Sequence, residues 1–391
     1  MRTKTDFTAG RRLAGIIMTG ILATMVTTWL AAERLSIGQV NTERLLPAQQ
    51  ITLYLSFEAP GASDLAIGNL TIEESADGVS YVPVPRVIDV SPVRSLDAPL
   101  SFFILVDNSG SMYDERTEGG DGPPRIDAAR QAIRDFVNSI TNEQDQVGLA
   151  VFNTRYAALR APSRDKAALG PILESISRPS REEGYTELYH ALVQASADAR
   201  AAGRQTVVVL SDGENYPYSV YEQRPHPEFQ DRLFTYQDAI DAFQREGLSV
   251  FAIHYGDRED PNLDTIAAET GGAVYRASGA EELAAVYTDI RTRLLAEYRV
   301  TYRPTMLSAD RRLVRVSYSD GNLRLRAVRP YFANTLFAGG ARVDIPMLGI
   351  VFGLGVVGIA VLLILSVKAG GKDHSLVVLD PGGVKGLQKT I

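Results

Sequence analysis

The sequence predicts a doubly wound α/β domain inserted in a small β-sandwich, with a transmembrane helix on either side. Three observations predict this. Short Val-, Ile- and Phe-rich runs alternate with helical periodicities over residues 98–296. The stretches on both sides of that region read as antiparallel strands separated by turn residues. Beyond them lie two uncharged apolar runs, each long enough to cross a bilayer.

In the central region, SFFILVD (101–107), VGLAVF (147–152), TVVVLSD (206–212) and SVFAIH (249–254) have the composition of strands buried on both faces of a parallel sheet. Between them Ile126, Ala129, Ile133, Phe136, Val137 and Ile140 recur at helical spacing, as do Leu188, Ala191, Leu192 and Ala195. Strands alternating with helices imply βαβ crossovers, with helices on both faces of the sheet. A last helix is predicted over 280–298. The flanks, 33–97 and 297–334, carry ITLYLSF, LAIGNLTIEES, YRVTYRP, RLVRVSYS and NLRLRAVRP. Domain termini commonly lie close together, so both flanks can complete one sandwich around the insertion. The competing arrangement is two separate β-ribbons, although neither flank alone carries a convincing core.

Residues 13–32 and 345–367 are the apolar runs. The first is expected to be a retained signal anchor; cleavage as a signal peptide after Ala31 or Ala32 would put Trp29 or Leu30 where a small residue is required. Arg11 and Arg12 precede it, and Lys368 and Lys372 follow the second run, so the positive-inside rule places 1–12 and 368–391 in the cytoplasm. The residues between the runs, ending in a linker at 335–344, then lie outside the cytoplasm. For a bacterial cell this means the inner membrane, with the α/β domain facing the periplasm or the exterior. Gly349 and Gly353 form a GxxxG through which two copies could pack as a homo-oligomer, though glycine is common in such helices.

Composition narrows the chemistry. With 40 basic and 47 acidic side chains the net charge is −7, so nucleic acid is not an expected partner. The absence of cysteine excludes disulfides, thiolate metal sites and a cysteine nucleophile, and the four histidines are far apart in sequence. A metal would have to be held by oxygen. The first central strand ends in DNSGSM, which sets Asp107, Ser109 and Ser111 at alternate positions where open α/β sheets place their sites. One carboxylate and two hydroxyls make half of a site for a hard divalent cation, and Gly110 is expected to take backbone angles that bulkier residues resist. Thr186 in EEGYTELY and Asp212 in VVVLSDGEN add oxygens from neighbouring loops. Ser, Thr and Asp also favour strand ends and helix caps, which is the competing explanation.

Taken in order, DNSGSM, RIDAARQAIRDFVNSI, DQVGLAVF, GYTELYHAL, QTVVVLSDGEN and SVFAIHYGD resemble a von Willebrand factor type A domain, and the DxSxS, Thr and SDG elements its metal-ion-dependent adhesion site. The resemblance implies a Rossmann-like fold over 98–296. It also implies Mg²⁺, or Mn²⁺ or Ca²⁺, held by Ser109, Ser111 and Thr186 through hydroxyls, with Asp107 and Asp212 acting directly or through water. One coordination position would be left for the Asp or Glu of a protein partner. The β flanks are similar to those of bacterial membrane-anchored members. The segment 215–235 is aromatic, and Tyr216, Tyr218 and Tyr221 are candidates for a rim that reads the partner. No positioned general base has a sequence signature, so catalysis is not expected and the protein reads as non-enzymatic. A structural membrane-complex subunit with a stabilising metal, or a metal-dependent hydrolase, is the alternative.

The topology has a direct test. Protease added outside spheroplasts is expected to digest residues 33–344 and spare a C-terminal tag; a protected central region would overturn it.

Overall fold

A computed structural model describes residues 34–58, 67–95, 99–114, 124–256, 258–305, 311–320 and 323–332. Both apolar runs, the ends expected in the cytoplasm and the GxxxG glycines lie outside these residues. Among the described residues no helix is long and apolar enough to cross a membrane.

The first flank supplies β1 (Arg34–Asn41), the single turn α1 (Leu45–Ala48), β2 (Ile51–Glu58), β3 (Leu70–Ser75), β4 (Val82–Pro83) and β5 (Arg86–Pro92). The central region runs β6 (Leu100–Asp107), α2 (Arg125–Ser139), β7 (Gln146–Phe152), β8 (Tyr156–Ser163), α3 (Leu169–Ser175), α4 (Leu188–Asp198) and β9 (Arg204–Ser211). It continues through α5 (Tyr218–Glu222), α6 (Tyr236–Glu246), β10 (Ser249–His254), α7 (Pro261–Glu269), β11 (Ala273–Arg276) and α8 (Ala280–Leu295). The chain returns as β12 (Tyr298–Arg303), β13 (Arg311–Ser319) and β14 (Arg324–Phe332).

The central region is a mixed α/β fold around one six-stranded sheet, ordered β11-β10-β9-β6-β7-β8. All pairings are parallel except that of β7 with the edge strand β8. The period-2 alternation of a strand divides β6 between two cores. Phe102, Ile104 and Val106 pack with α2 and α8, while Phe103 and Leu105 pack with α4, α6 and α7. The predicted helical stripes face inward: Ile126, Ala129, Ile133, Phe136 and Val137 of α2 are all buried. Thr235 and Asp238 form a capping box that starts α6, and Gly247 ends it in the left-handed conformation.

The last helix is shorter than its sequence pattern. α8 stops at Leu295, and Tyr298 already belongs to β12. The reason is Glu297, which is buried in a bidentate pair with Arg204 at 2.6 and 2.8 Å. Its own carbonyl accepts from Val93 N–H at 2.8 Å.

Strands from both flanks share two four-stranded sheets, β1-β2-β12-β5 and β14-β13-β3-β4. β12 lies between β2 and β5, and β13 pairs with β3. The sheets pack on one another through Phe57 against Tyr318, with ring centroids 4.7 Å apart. At the centre is a fully buried carboxylate, Glu74 of β3. Its Oε1 accepts from the hydroxyls of Tyr302 and Tyr331 at 3.0 and 2.9 Å, and its Oε2 from the backbone and hydroxyl of Thr305 at 2.8 and 2.6 Å. All four donors come from the second flank, so this network joins the two halves of the chain.

β1 also touches the base of the α/β sheet. Gly271 has φ of 73° and lies so close that a Cβ would sit 2.2 Å from Ile37 O, a position no other residue could fill. Arg329 of β14 donates to the carbonyls of Ile37 and Leu248 from a fully buried position, and burial pushes its pKa down to about 9.

Glu297→Ala is expected to destabilise residues 34–332 by about 3–5 kcal/mol in denaturant unfolding, because it leaves the Arg204 guanidinium buried without its partner. Arg204→Met with Glu297→Leu is expected to cost less than the single change.

Candidate functional site

The five residues singled out by sequence lie at the C-terminal edge of the central sheet. Asp107 ends β6; Ser109 and Ser111 follow it, with Gly110–Tyr113 forming a 3-10 turn that drives Met112 into the core. Asp212 lies one residue beyond β9. Thr186 precedes α4 and exchanges two backbone hydrogen bonds with Tyr216, at 3.0 and 2.8 Å, so the third loop is indexed on the fourth. The first and third loops are joined by Gly110 N–H to Gly184 O at 3.0 Å. Gly110 is not in a left-handed conformation, and a Cβ there would make an ordinary 3.7 Å contact. The expectation that its backbone angles require glycine is therefore corrected.

A chain of oxygens runs across the site. Ser109 Oγ and Ser111 Oγ are 3.0 Å apart, and Ser111 Oγ donates to Asp212 Oδ1 at 2.8 Å. Asp107 is differently placed. Its Oδ1 accepts from Ser109 N–H at 2.8 Å and its Oδ2 from Ser211 Oγ at 2.7 Å, so both oxygens are already engaged by protein donors. Burial, and after it the charge of Asp212, pushes the Asp107 carboxyl up to about 7. Burial also raises Asp212, against the opposing effects of Ser111 and Arg125. Two carboxylates out of water with elevated pKa values are a site short of positive charge.

The donor set fits a small hard cation. Adjacent ligands of an octahedral Mg²⁺ at about 2.1 Å are separated by about 3.0 Å, which is the spacing of the Ser109, Ser111 and Asp212 oxygens. Among the described residues no three His, Cys, Asp or Glu side chains converge; the cluster at this edge instead combines two carboxylates with hydroxyls.

Three contributors were missed in sequence. Arg125, the first residue of α2, places Nη1 3.3 Å from Asp212 Oδ2 and supplies part of the missing charge. Its signal was a basic side chain at a helix start, where acidic residues are favoured. Ser211 is the hydroxyl that closes an otherwise apolar strand end. Asn108 ties the first loop down, accepting from the Tyr113 hydroxyl at 2.7 Å and donating its own N–H to Phe152 O at 2.7 Å.

The aromatic rim divides. Tyr216 and Tyr221 are 42% and 49% exposed and stacked on each other, and the Tyr216 ring also stacks on Tyr185 at 5.8 Å. Tyr218 is only 7% exposed, edge-on to Tyr185 and His226 and covered by the Arg224 guanidinium. As a rim residue it is a correction: its ring packs inward because its N–H is drawn to the buried Glu187 carboxylate at 2.7 Å. Phe229 and Phe234 also fold back, both against His190. His226 donates its Nε2–H to Thr154 O at 2.9 Å while its Nδ1 accepts from Glu228 N–H at 3.1 Å, and so pins this loop to the turn between β7 and β8. Burial pushes His190 down to about 4 and lowers His254.

An open α/β sheet carrying a carboxylate–hydroxyl cluster at its C-terminal edge defines the class. Residues 102–214 match the family model of the von Willebrand factor type A domain, and this part of the chain is such a domain. No curated protein matches the chain. Among solved structures, BatB from Bacteroides thetaiotaomicron is 21% identical, with 50% of this chain and 98% of that one covered and a TM-score of 0.38. The vWF domain of the pili tip protein Mfa5 from Porphyromonas gingivalis is 16% identical over 51% and 95%, with a TM-score of 0.37. The PilB minor pilin from Streptococcus sanguinis is 14% identical over 68% and 79%, with a TM-score of 0.40.

The raised Asp107 pKa has a sign. Between the ordinary carboxylate range and pH 7 the metal-free folded protein holds a proton that the unfolded chain has released, so this group's contribution to stability falls as pH rises through that window. Asp107→Asn is therefore expected to raise the melting temperature of metal-free protein at pH 8 and to do so less at pH 5. Ser211 can re-donate to Gly213 O, already 3.1 Å away, so the substitution leaves no hydroxyl stranded.

Proposed function

We propose that this domain holds a divalent cation, Mg²⁺ first, through Ser109, Ser111, Thr186 and Asp212, with Asp107 acting through water. It presents that cation to an Asp or Glu of a protein partner. The observation that carries the reading is the run of oxygens at 3.0 and 2.8 Å between two buried carboxylates of raised pKa. A bound cation supplies an electrophilic position that an acidic side chain can occupy in place of water. Asp107 is fitted for the water-mediated role because Ser109 N–H and Ser211 Oγ already hold its two oxygens in place. Arg125 offsets one charge of Asp212 and keeps the cluster from excluding an incoming carboxylate.

The role is binding, in adhesion, scaffolding or envelope assembly, and not catalysis. His190 is buried among Phe229 and Phe234, and the ring nitrogens of His254 are buried without a hydrogen-bond partner, so neither is placed to relay protons with solvent. The two uncharged runs support a chain held in the bacterial inner membrane with this domain outside the cytoplasm. Tyr216 and Tyr221, exposed beside the Thr186 bridge, are the selectivity surface.

Mg²⁺ at a hundredfold excess over its Kd is expected to stabilise the protein by about 2.7 kcal/mol, read as a thermal shift at pH 8 that shrinks at pH 5 as protons compete for the carboxylates. Asp212→Ala should abolish the shift. A wild-type protein with no shift at millimolar Mg²⁺ would count against the reading. For a crosslinked partner, equal affinity in Mg²⁺ and in EDTA would exclude a metal bridge.

A further inference from the structure

The outward face of the sheet β14-β13-β3-β4 carries an unusual combination of groups. Side chains alternate along a strand, so Arg324, Arg326 and Val328 of β14 share a face and lie opposite Ser319, Ser317 and Arg315 of β13. Arg324 and Arg326 are exposed, and neither enters an ion pair among the described residues. Val328 beside them is 48% exposed. Arg315 is held flat, 2.7 Å from Glu73 and 3.7 Å from the centre of the Tyr81 ring. The turn after β3 folds over the same face, with Gly78 against Leu313, and carries the exposed Val79.

The carboxylates of this face are held in place, Glu73 by a cation and the other two by neutral donors that orient them without cancelling their charge. Glu73 is bound by Arg315, Asp77 by Ser75 and by the N–H groups of Val79 and Ser80, and Asp320 by Leu323 N–H and the Tyr318 hydroxyl. What remains available is two guanidinium groups between aliphatic side chains. That is the chemistry that recognises an anionic lipid surface, where phosphates meet cations and the upper acyl region meets aliphatic groups. The strand that carries the arginines leads there: β14 ends at Phe332, and the second apolar run begins at Ile345. Only the twelve residues 333–344 separate the end of this strand from the start of that run in sequence.

We propose that this face lies on the anionic headgroup surface of the membrane, with Arg324 and Arg326 against lipid phosphates and Val328 against the upper acyl chains. The inference rests on the membrane anchoring proposed above and adds an orientation to it: the sandwich lies on the bilayer by one defined sheet face. Losing an arginine weakens such docking by about fivefold, so losing both weakens it about twenty-five-fold.

The full chain has no cysteine, so Val328→Cys and, as a control on the exposed edge strand β8, Ala158→Cys can each carry a single fluorophore. The labelled chains are reconstituted into nanodiscs containing phosphatidylglycerol or phosphatidylcholine alone, with a nitroxide-headgroup lipid as quencher. Strong quenching at 328 and little at 158 is expected, dependent on phosphatidylglycerol and lost on adding Arg324→Gln with Arg326→Gln. Equal quenching at both positions, no dependence on phosphatidylglycerol, or no effect of the double substitution would overturn the orientation while leaving the anchoring intact. Recovery of the chain free of nanodiscs would overturn both.

Discussion

An inserted domain can be accommodated only if the host strands that bracket it end side by side. Here they do. The chain leaves the sandwich at the end of β5 and returns at the start of β12, and Pro92 and Tyr298 are direct cross-strand partners. One ladder step separates exit from entry, so the two ends of the insertion meet without stretching either sheet. The Glu297–Arg204 pair fastens that junction. Arg204 opens β9, the strand that delivers Asp212, and Glu297 lies between the end of α8 and the start of β12. Arg204 also donates to Gln205 O and Ser249 Oγ, so four hydrogen bonds engage all three guanidinium nitrogens in their buried position.

The same logic governs the opposite edge of the central sheet, with one difference. At the junction a carboxylate is buried with its cation. At the site two carboxylates are buried, and among the described residues the cation beside them is Arg125, 3.3 Å from Asp212. Elsewhere this fold gives its buried acids partners, four hydrogen-bond donors for Glu74 and a bidentate arginine for Glu297. The shortfall around Asp107 and Asp212 is therefore local, and it lies where the loops after β6 and β9 meet the one that leads into α4. Buried carboxylates whose pKa values are raised mark a candidate functional site.

How much of this was legible in sequence follows from the range of the interactions. The strands β6, β7, β9 and β10 were read to within two residues because their signal is a local run of apolar side chains. The stripes of α2 and α4 are equally local. The end of α8 was read too far along, because Glu297 belongs by pattern to the helix and is claimed by Arg204, 93 positions away in sequence. Glu74 carried no signal at all: an acid in a β-strand pattern reads as a solvent-facing residue, and its four donors lie more than 220 positions away. Among the site residues, Asp107, Ser109 and Ser111 were visible because one strand end spaces them. Arg125 and Ser211 join the cluster only through tertiary contact. Tyr218 was misplaced because composition gives the aromatic content of a segment and not which rings turn inward.

The way the site is mounted bears on what binding would cost. Thr186 is tied to Tyr216, Gly110 to Gly184, and Ser111 to Asp212, so the loops that carry the oxygens are cross-linked before any partner arrives. Ordering these loops was part of folding, and a partner does not have to supply that free energy again. The exposed Tyr216 and Tyr221 rings gain from the same arrangement: stacked on each other, and through Tyr216 on Tyr185, they lose little side-chain freedom when covered. In the binding role proposed above, these pre-ordered loops and stacked rings act on the free state, by removing the ordering cost that binding would otherwise carry.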